Sequence, residues 1–177
     1  MSGKDFLISF ESKAEKLENR LIIKLPQTAS AQLPSRGQVA VNGIINGKDF
    51  KTVVEPDGNK GHWLSVDDKM GVLKSGDTVE IQLQPVKDWP EPQVPSDLKK
   101  ALADDKQISE TWLDITPMAR WEWVRWVNST PNPQTRQRRV EVTISKMHHG
   151  KRRPCCFNLA ACTDPELSKN SKLLGII

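Results

Sequence analysis

The chain has 177 residues, 37% hydrophobic and 27% charged, which is the composition of folded, water-soluble domains and leaves room for one or two of them. No apolar run approaches the roughly 18 residues of a membrane-spanning helix, and the first twenty residues hold no apolar signal segment, so a cytoplasmic protein without a membrane span is expected. The net charge of +4 lies wholly in the second half: residues 1–90 carry twelve Lys or Arg against twelve Asp or Glu, residues 91–177 fourteen against ten. An anionic partner would be sought there, although a solvated helix face is the better explanation of so small an excess.

The first 85 residues read as β. Phe6 to Phe10 is an apolar strand. Leu21, Ile23 and Leu25 alternate with their neighbours, as do Val39 and Val41, and most cleanly Val79, Ile81 and Leu83. Asn46-Gly47 between GQVAVNGII and KDFKTVV predicts a hairpin, because a type I′ turn needs positive φ at both central residues. PDGNKG is a second turn, leading into HWLSV. Short helices are expected near Thr28–Leu33 and Val66–Leu73. Six short strands with so little helix suggest a small barrel, whose closure hides sheet edges.

VKDWPEPQVPSD holds three prolines. Each fixes φ and lacks a donor, so residues 87–95 read as an extended linker. Beyond it the period becomes 3.6. Ser96 would cap a helix carrying Leu98, Ala101 and Leu102, and Ile108, Trp112 and Ile115 mark another. Thr116-Pro117 and Asn132-Pro133 each place a capping oxygen before Pro at the first helical position. The helix PMARWEWVRWV buries a stripe of Ala119, Trp123, Trp126 and Val127. Met118, Trp121 and Val124 lie across from that stripe, with Arg125 among them. A helix apolar on two sides is sandwiched or sticky, so Met118 and Trp121 are candidate protein contacts, for the C-terminal segment first and a partner or second copy next.

The final helix buries Val140, Ile144 and Met147 and ends at Gly150, a natural left-handed C′ residue. Its outer side belongs to TRQRRVEVTISKMHHGKRRPCCFN, where seven Lys or Arg meet one Glu. Arg138, Lys146, Lys151, Arg152 and Arg153 are the candidate anion or nucleic-acid contacts. Residues 151–177 show no sustained period and read as a tail, with room for one turn capped at Asp164.

Little recognisable chemistry is present. Neither GxGxxG, nor GxxxxGK followed by Ser or Thr, nor GxSxG occurs. Asp67-Asp68 and Asp104-Asp105 sit at helix starts and read as caps. His62 is a strand histidine that could line a barrel mouth beside Trp63, making both candidate small-molecule contacts. His148, His149, Cys155, Cys156 and Cys162 have zinc-ligand chemistry but lack the CxxC or HxxxH spacing by which two ligands reach one ion, so no metal or other cofactor is expected.

VPSDLKKALADD, TPMARWEWVRWV, TRQRR before an apolar helix, and HHGKRRPCCFN together resemble the YdeI/OmpD-associated family of bacteriocin-protection proteins. GQVAVNGIINGKDFKTVVEPDGNKGHWLSV and KSGDTVEIQL resemble the small β domain of unknown function that often precedes it. The resemblance implies an α+β protein: a double-split β-barrel-like domain over 1–86, related in shape to the AbrB/MazE swapped hairpin, the linker 87–95, a small helical bundle over 96–150, and the tail 151–177. It implies no enzyme activity, cofactor or catalytic residue. Met118 and Trp121 depart from it, standing where the pattern is polar or basic. The reading that results is a non-enzymatic binding or stress-resistance protein with an unidentified partner. Nucleic-acid binding through the second half and small-molecule binding at the barrel mouth are the alternatives.

Overall fold

The computed structural model describes residues 7–154 and 158–175. They form two compact units, one of residues 7–90 with 159–162 and 167–175, the other of the intervening residues. The first is β and the second helical, so the chain is α+β.

The β unit contains β1 (Ile8–Leu17), β2 (Arg20–Lys24), a single helical turn α1 (Gln27–Ser30), β3 (Val39–Ile45), β4 (Lys48–Pro56), β5 (His62–Ser65) and β6 (Thr78–Pro85). The six strands close in the order β1-β2-β5-β4-β3-β6, all pairs antiparallel, with β6 returning to β1. Alternation produces this directly. Val79, Ile81 and Leu83 point inward on β6 and Glu80 and Gln82 outward. Ile8, Ile23, Val41, Ile45, Val54 and Leu64 meet them in one core, each contributing about 1.5–3 kcal/mol by leaving water. Asn46 and Gly47 both have positive φ (47° and 83°) and join Ile45 to its partner Lys48, the turn expected from the sequence.

Three local expectations change. β1 runs seven residues beyond Phe10, because its inward positions are filled by Ser12, whose hydroxyl donates to the Lys24 carbonyl at 2.8 Å, and by buried Ala14. The helix expected at Thr28–Leu33 is one turn at 27–30. That at Val66–Leu73 is a 3₁₀ turn, Asp68–Met70, started by the Asp67 carboxylate accepting from the Lys69 amide at 2.9 Å.

The helical unit holds α2 (Ser96–Ala103), α3 (Lys106–Asp114), α4 (Pro117–Asn128) and α5 (Pro133–His148). Ser96 is the first residue of α2 and makes no cap bond. The other caps form as expected. Asp105 accepts from the Ile108 amide at 3.1 Å, Thr116 from Ala119 at 3.1 Å, and Asn132 from Gln134 and Thr135 at 3.0 Å each. Leu98, Leu102, Ile108, Trp112, Ala119, Trp123, Val127, Val140 and Met147 form the core. Val124 joins it, so it does not lie with Met118 on an outer face.

Part of the segment read as a tail is folded. β7 (Ser168–Lys169) and β8 (Lys172–Leu173) make a hairpin through Asn170 and Ser171, both at positive φ. It packs on the outside of the barrel. Cys162, Leu167 and Leu173 bury Ile22 and Trp63, and the Leu173 amide donates to the Asp57 carbonyl at 2.9 Å.

Candidate functional site

His62 and Trp63 do not line an open barrel mouth. His62 on β5 is 1% exposed. Its Nε2 lies 2.9 Å from the Gly37 carbonyl and its Nδ1 2.6 Å from the Ser30 hydroxyl. A carbonyl only accepts, so Nε2 carries the proton and Nδ1 accepts from Ser30. Arg36 donates to the Ser30 hydroxyl at 3.3 Å and to the carbonyls of Ser30, Leu33 and Lys60. Burial, with the Arg36 charge adding to it, holds the His62 pKa below its ordinary value. The Ser30–His62 pair is thus a neutral knot tying α1 and the following loop to β5. Both residues are sealed from solvent, which rules out attack on a substrate in this conformation. Trp63 points outward from the barrel and is 2% exposed because the 159–175 segment covers it. Its Nε1 donates to the Pro56 carbonyl at 3.2 Å and Arg20 stacks 5.9 Å from its ring centre.

The cations separate into two groups. Arg152 donates to the Asp114 carboxylate and carbonyl at 3.0 and 3.1 Å. Arg153 donates to both oxygens of buried Glu122, which raises the Arg153 pKa. Arg136 grips Asp97 at 2.7 and 3.0 Å and Asn128 at 2.8 Å, and this guanidinium holds the Asp97 carboxyl below the usual range. Arg139 reaches the Trp126 carbonyl at 2.8 Å and the Ser129 hydroxyl. These four side chains brace the helical unit. Lys146 lies 5.7 Å from the Trp126 ring centre, which Arg139 also approaches at 5.3 Å. Arg138 and Lys151 are exposed. The five candidate anion contacts are therefore not one array: Arg152 and Arg153 already hold carboxylates.

α4 buries Arg120, Glu122 and Arg125; the first two were not singled out from the sequence, and Arg125, placed there on an outer side, is buried instead. Arg120 joins Glu91 through two bonds and donates to the carbonyls of Trp112 (2.9 Å), Leu113 and Ile115, closing the carboxyl end of α3. The spacing of Trp112, Ile115 and Arg120 offers no periodic signal for this, because the bonds depend on the turn between two helices.

Met118 is 40% exposed and Trp121, one turn further along α4, half-buried. Leu113, at the end of α3, is 78% exposed. The α3–α4 corner thus presents apolar side chains to solvent. The described C-terminal hairpin carries Leu167 and Leu173, which pack on Ile22 and Trp63 of the barrel.

On the barrel, a cleft of about 520 Å³ crosses the outside of β1, β6 and β3 beside the Asn46–Gly47 turn. Register places Ser9, Gln82 and Ile44 in one cross-strand row and Glu11 beside Glu80 in the next. Phe10 and Ile81 complete its lining with Asn46 and Gly47. This row structure was implicit in the alternation but needed the strand order to appear.

Cys155 and Cys156 lie outside the described residues. Cys162 is buried in the barrel unit, whereas His148 belongs to α5 and meets Asp105 at 2.6 Å. That bond, with the Ile108 amide, keeps the Asp105 carboxyl below its ordinary range. Among the described residues no three His, Cys, Asp or Glu side chains group as a metal site, and no helix is long and apolar enough to cross a membrane.

Two family models match the chain. Residues 10–83, spanning the barrel strands from β1 to β6, match a domain of unknown function, DUF1905. Residues 91–150, spanning α2 to α5, match OmdA, described as bacteriocin-protection, YdeI or OmpD-associated. No curated protein matches. The closed six-stranded barrel is thus the part of the chain that matches DUF1905, and the helices that follow it are the part that matches the YdeI/OmpD-associated, bacteriocin-protection model.

Proposed function

We propose that this protein works by binding rather than catalysis, in resistance to antimicrobial stress, and that the α3–α4 corner is its contact surface for another protein. The observation that carries this reading is the exposure of Leu113 (78%) and Met118 (40%) at one helix–helix corner. Trp121 stands a turn away, and aromatic and Met side chains are those enriched in protein contacts. The family match supports the resistance context. The test is survival of a bacteriocin-sensitive strain expressing the protein or its Leu113→Glu/Met118→Glu variant. Protection by the first, and its loss in the second at unchanged thermal midpoint, is expected. Equal protection by both removes the corner from the mechanism, and protection by neither removes the resistance role.

A second reading, small-molecule binding, is favoured by the barrel cleft, whose volume of about 520 Å³ is in the range that holds metabolites. A thermal-shift screen in which hits vanish on Ile44→Trp, which fills the cleft, would select it.

A further inference from the structure

The outer face of β2 and β5 has an unusual feature for a barrel surface. Ile22 and Trp63 point away from the core that Ile23 and Leu64 enter, yet both are buried. Their cover is Cys162, Leu167 and Leu173, with Leu17 at the edge. The covering segment has its own internal order. The Cys162 amide donates to the Ser171 carbonyl at 2.9 Å, the Leu174 amide to that of Leu167 at 2.8 Å, and the β7–β8 turn closes the hairpin. The barrel is shaped to receive it. A Cβ on Gly58 would come within 1.9 Å of the Ser171 carbonyl oxygen, and one on Gly37 within 2.8 Å of that of Leu159. Two glycines of the barrel loops thus leave room for backbone of the segment.

We infer that residues 159–175 are a latch seated on an apolar peptide-binding face of the barrel. The cover adds a small separate cluster and does not extend the barrel core, and units with few buried apolar contacts open locally below the free energy of global unfolding. Trp63 keeps its bond to Pro56 whether the latch is on or off, since both partners belong to the barrel. Opening therefore bares Ile22 and Trp63 without dismantling the sheet. The face then accepts a segment of the same chemistry: leucines about six residues apart on a tight hairpin, with backbone close to Gly58. The latch competes in cis with any such segment. This inference does not depend on the α3–α4 corner.

Cys162 reports on the latch because it is buried only while the latch is closed. In the 177-residue chain with Cys155→Ser and Cys156→Ser, it is the only thiol. Labelling by a thiol reagent, at concentrations where closing outruns labelling, is followed with denaturant held below the unfolding transition. Expected is protection of about a hundredfold or more over a free thiol, with a denaturant dependence much shallower than that of global unfolding. Leu167→Ala should accelerate labelling about tenfold while the unfolding midpoint of the barrel moves little. Gly37→Ala, which drives a methyl against the Leu159 carbonyl at a position with no left-handed φ to strain, should do the same by a different route. A peptide of residues 159–175 with Cys162→Ser, added in trans, should accelerate labelling saturably by capturing the open face. Labelling that follows global unfolding in both slope and variant response would make the segment part of the core and overturn the latch. Immediate labelling would show that it is not seated. No effect of the peptide would overturn the binding face.

Discussion

Arg153 donates two hydrogen bonds to Glu122, a carboxylate that α4 carries into the interior of the helical unit. Arg153 itself stays more than half in solvent, so the pair is asymmetric: one partner needs the other. Arg153→Ala leaves a buried carboxylate without its strongest donor and should cost about 1–3 kcal/mol by urea denaturation. Pairing it with Glu122→Gln should recover part of the loss, since a neutral amide is less costly to bury. A double-variant loss equal to the sum of the two single-variant losses would show that the two residues act independently.

Trp123 is fully buried, packs edge-on to Trp126 with ring centres 6.2 Å apart, and donates to the Arg152 carbonyl at 3.0 Å. Trp123→Ala removes a fully buried indole from this core and should destabilise the helical unit by about 3–5 kcal/mol. A loss below about 1 kcal/mol, the scale of surface substitutions, would contradict its place at the centre of the unit.

These two residues illustrate what could be read from the sequence. Trp123 was legible because it recurs with Ala119 and Val127 at helical spacing, and the α4 and α5 starts because Thr116-Pro117 and Asn132-Pro133 are local cap signals. The Asn46–Gly47 hairpin is equally local. Arg152 and Arg153 read as surface cations since their carboxylates lie 38 and 31 residues earlier, out of reach of any periodic pattern. The second half of β1 was hidden by small and polar inward residues, Ser12 and Ala14. The C-terminal hairpin was missed because the apolar partners of Leu167 and Leu173 are on β2 and β5. His62 looked available because a strand histidine shows nothing of the serine and carbonyl that will enclose it.

The buried neutral His62 makes the barrel acid-sensitive. Its folded pKa is lowered by burial and by Arg36, partly offset by the Gly37 carbonyl and Asp57. As pH falls below about 6.5 the unfolded chain takes up a proton that the folded one refuses. Stability is therefore full above that value and declines below it, by up to about 1.4 kcal/mol per pH unit for one proton. His62→Gln, which keeps a donor toward Gly37 and an acceptor toward Ser30, should flatten the denaturation profile between pH 5 and 6.5. An unchanged profile would assign the acid sensitivity elsewhere.

The use of Arg136, Arg139, Arg152 and Arg153 inside the helical unit limits what it can offer a phosphate backbone. Of the seven cations in residues 135–158 only Arg138, Lys146 and Lys151 are left to make contacts, so binding to duplex DNA through this segment should have a log–log salt slope no steeper than about −3. Titration of a labelled duplex between low and moderate salt measures it. A slope near that of six or more phosphates would mean that the bracing pairs open on DNA or that exposed Lys99, Lys100 and Lys106 join the contact, and would restore the nucleic-acid reading.

The two faces of the barrel wall mature at different times. Ile23 and Leu64 find partners among strands made in close succession, whereas Trp63 waits for Leu167, about a hundred residues further along. Throughout synthesis of the helical domain, a ribosome-bound barrel would display Ile22 and Trp63 uncovered. That interval is a window for chaperone capture or for pairing with a neighbouring nascent chain, and it closes only when the hairpin of β7 and β8 arrives.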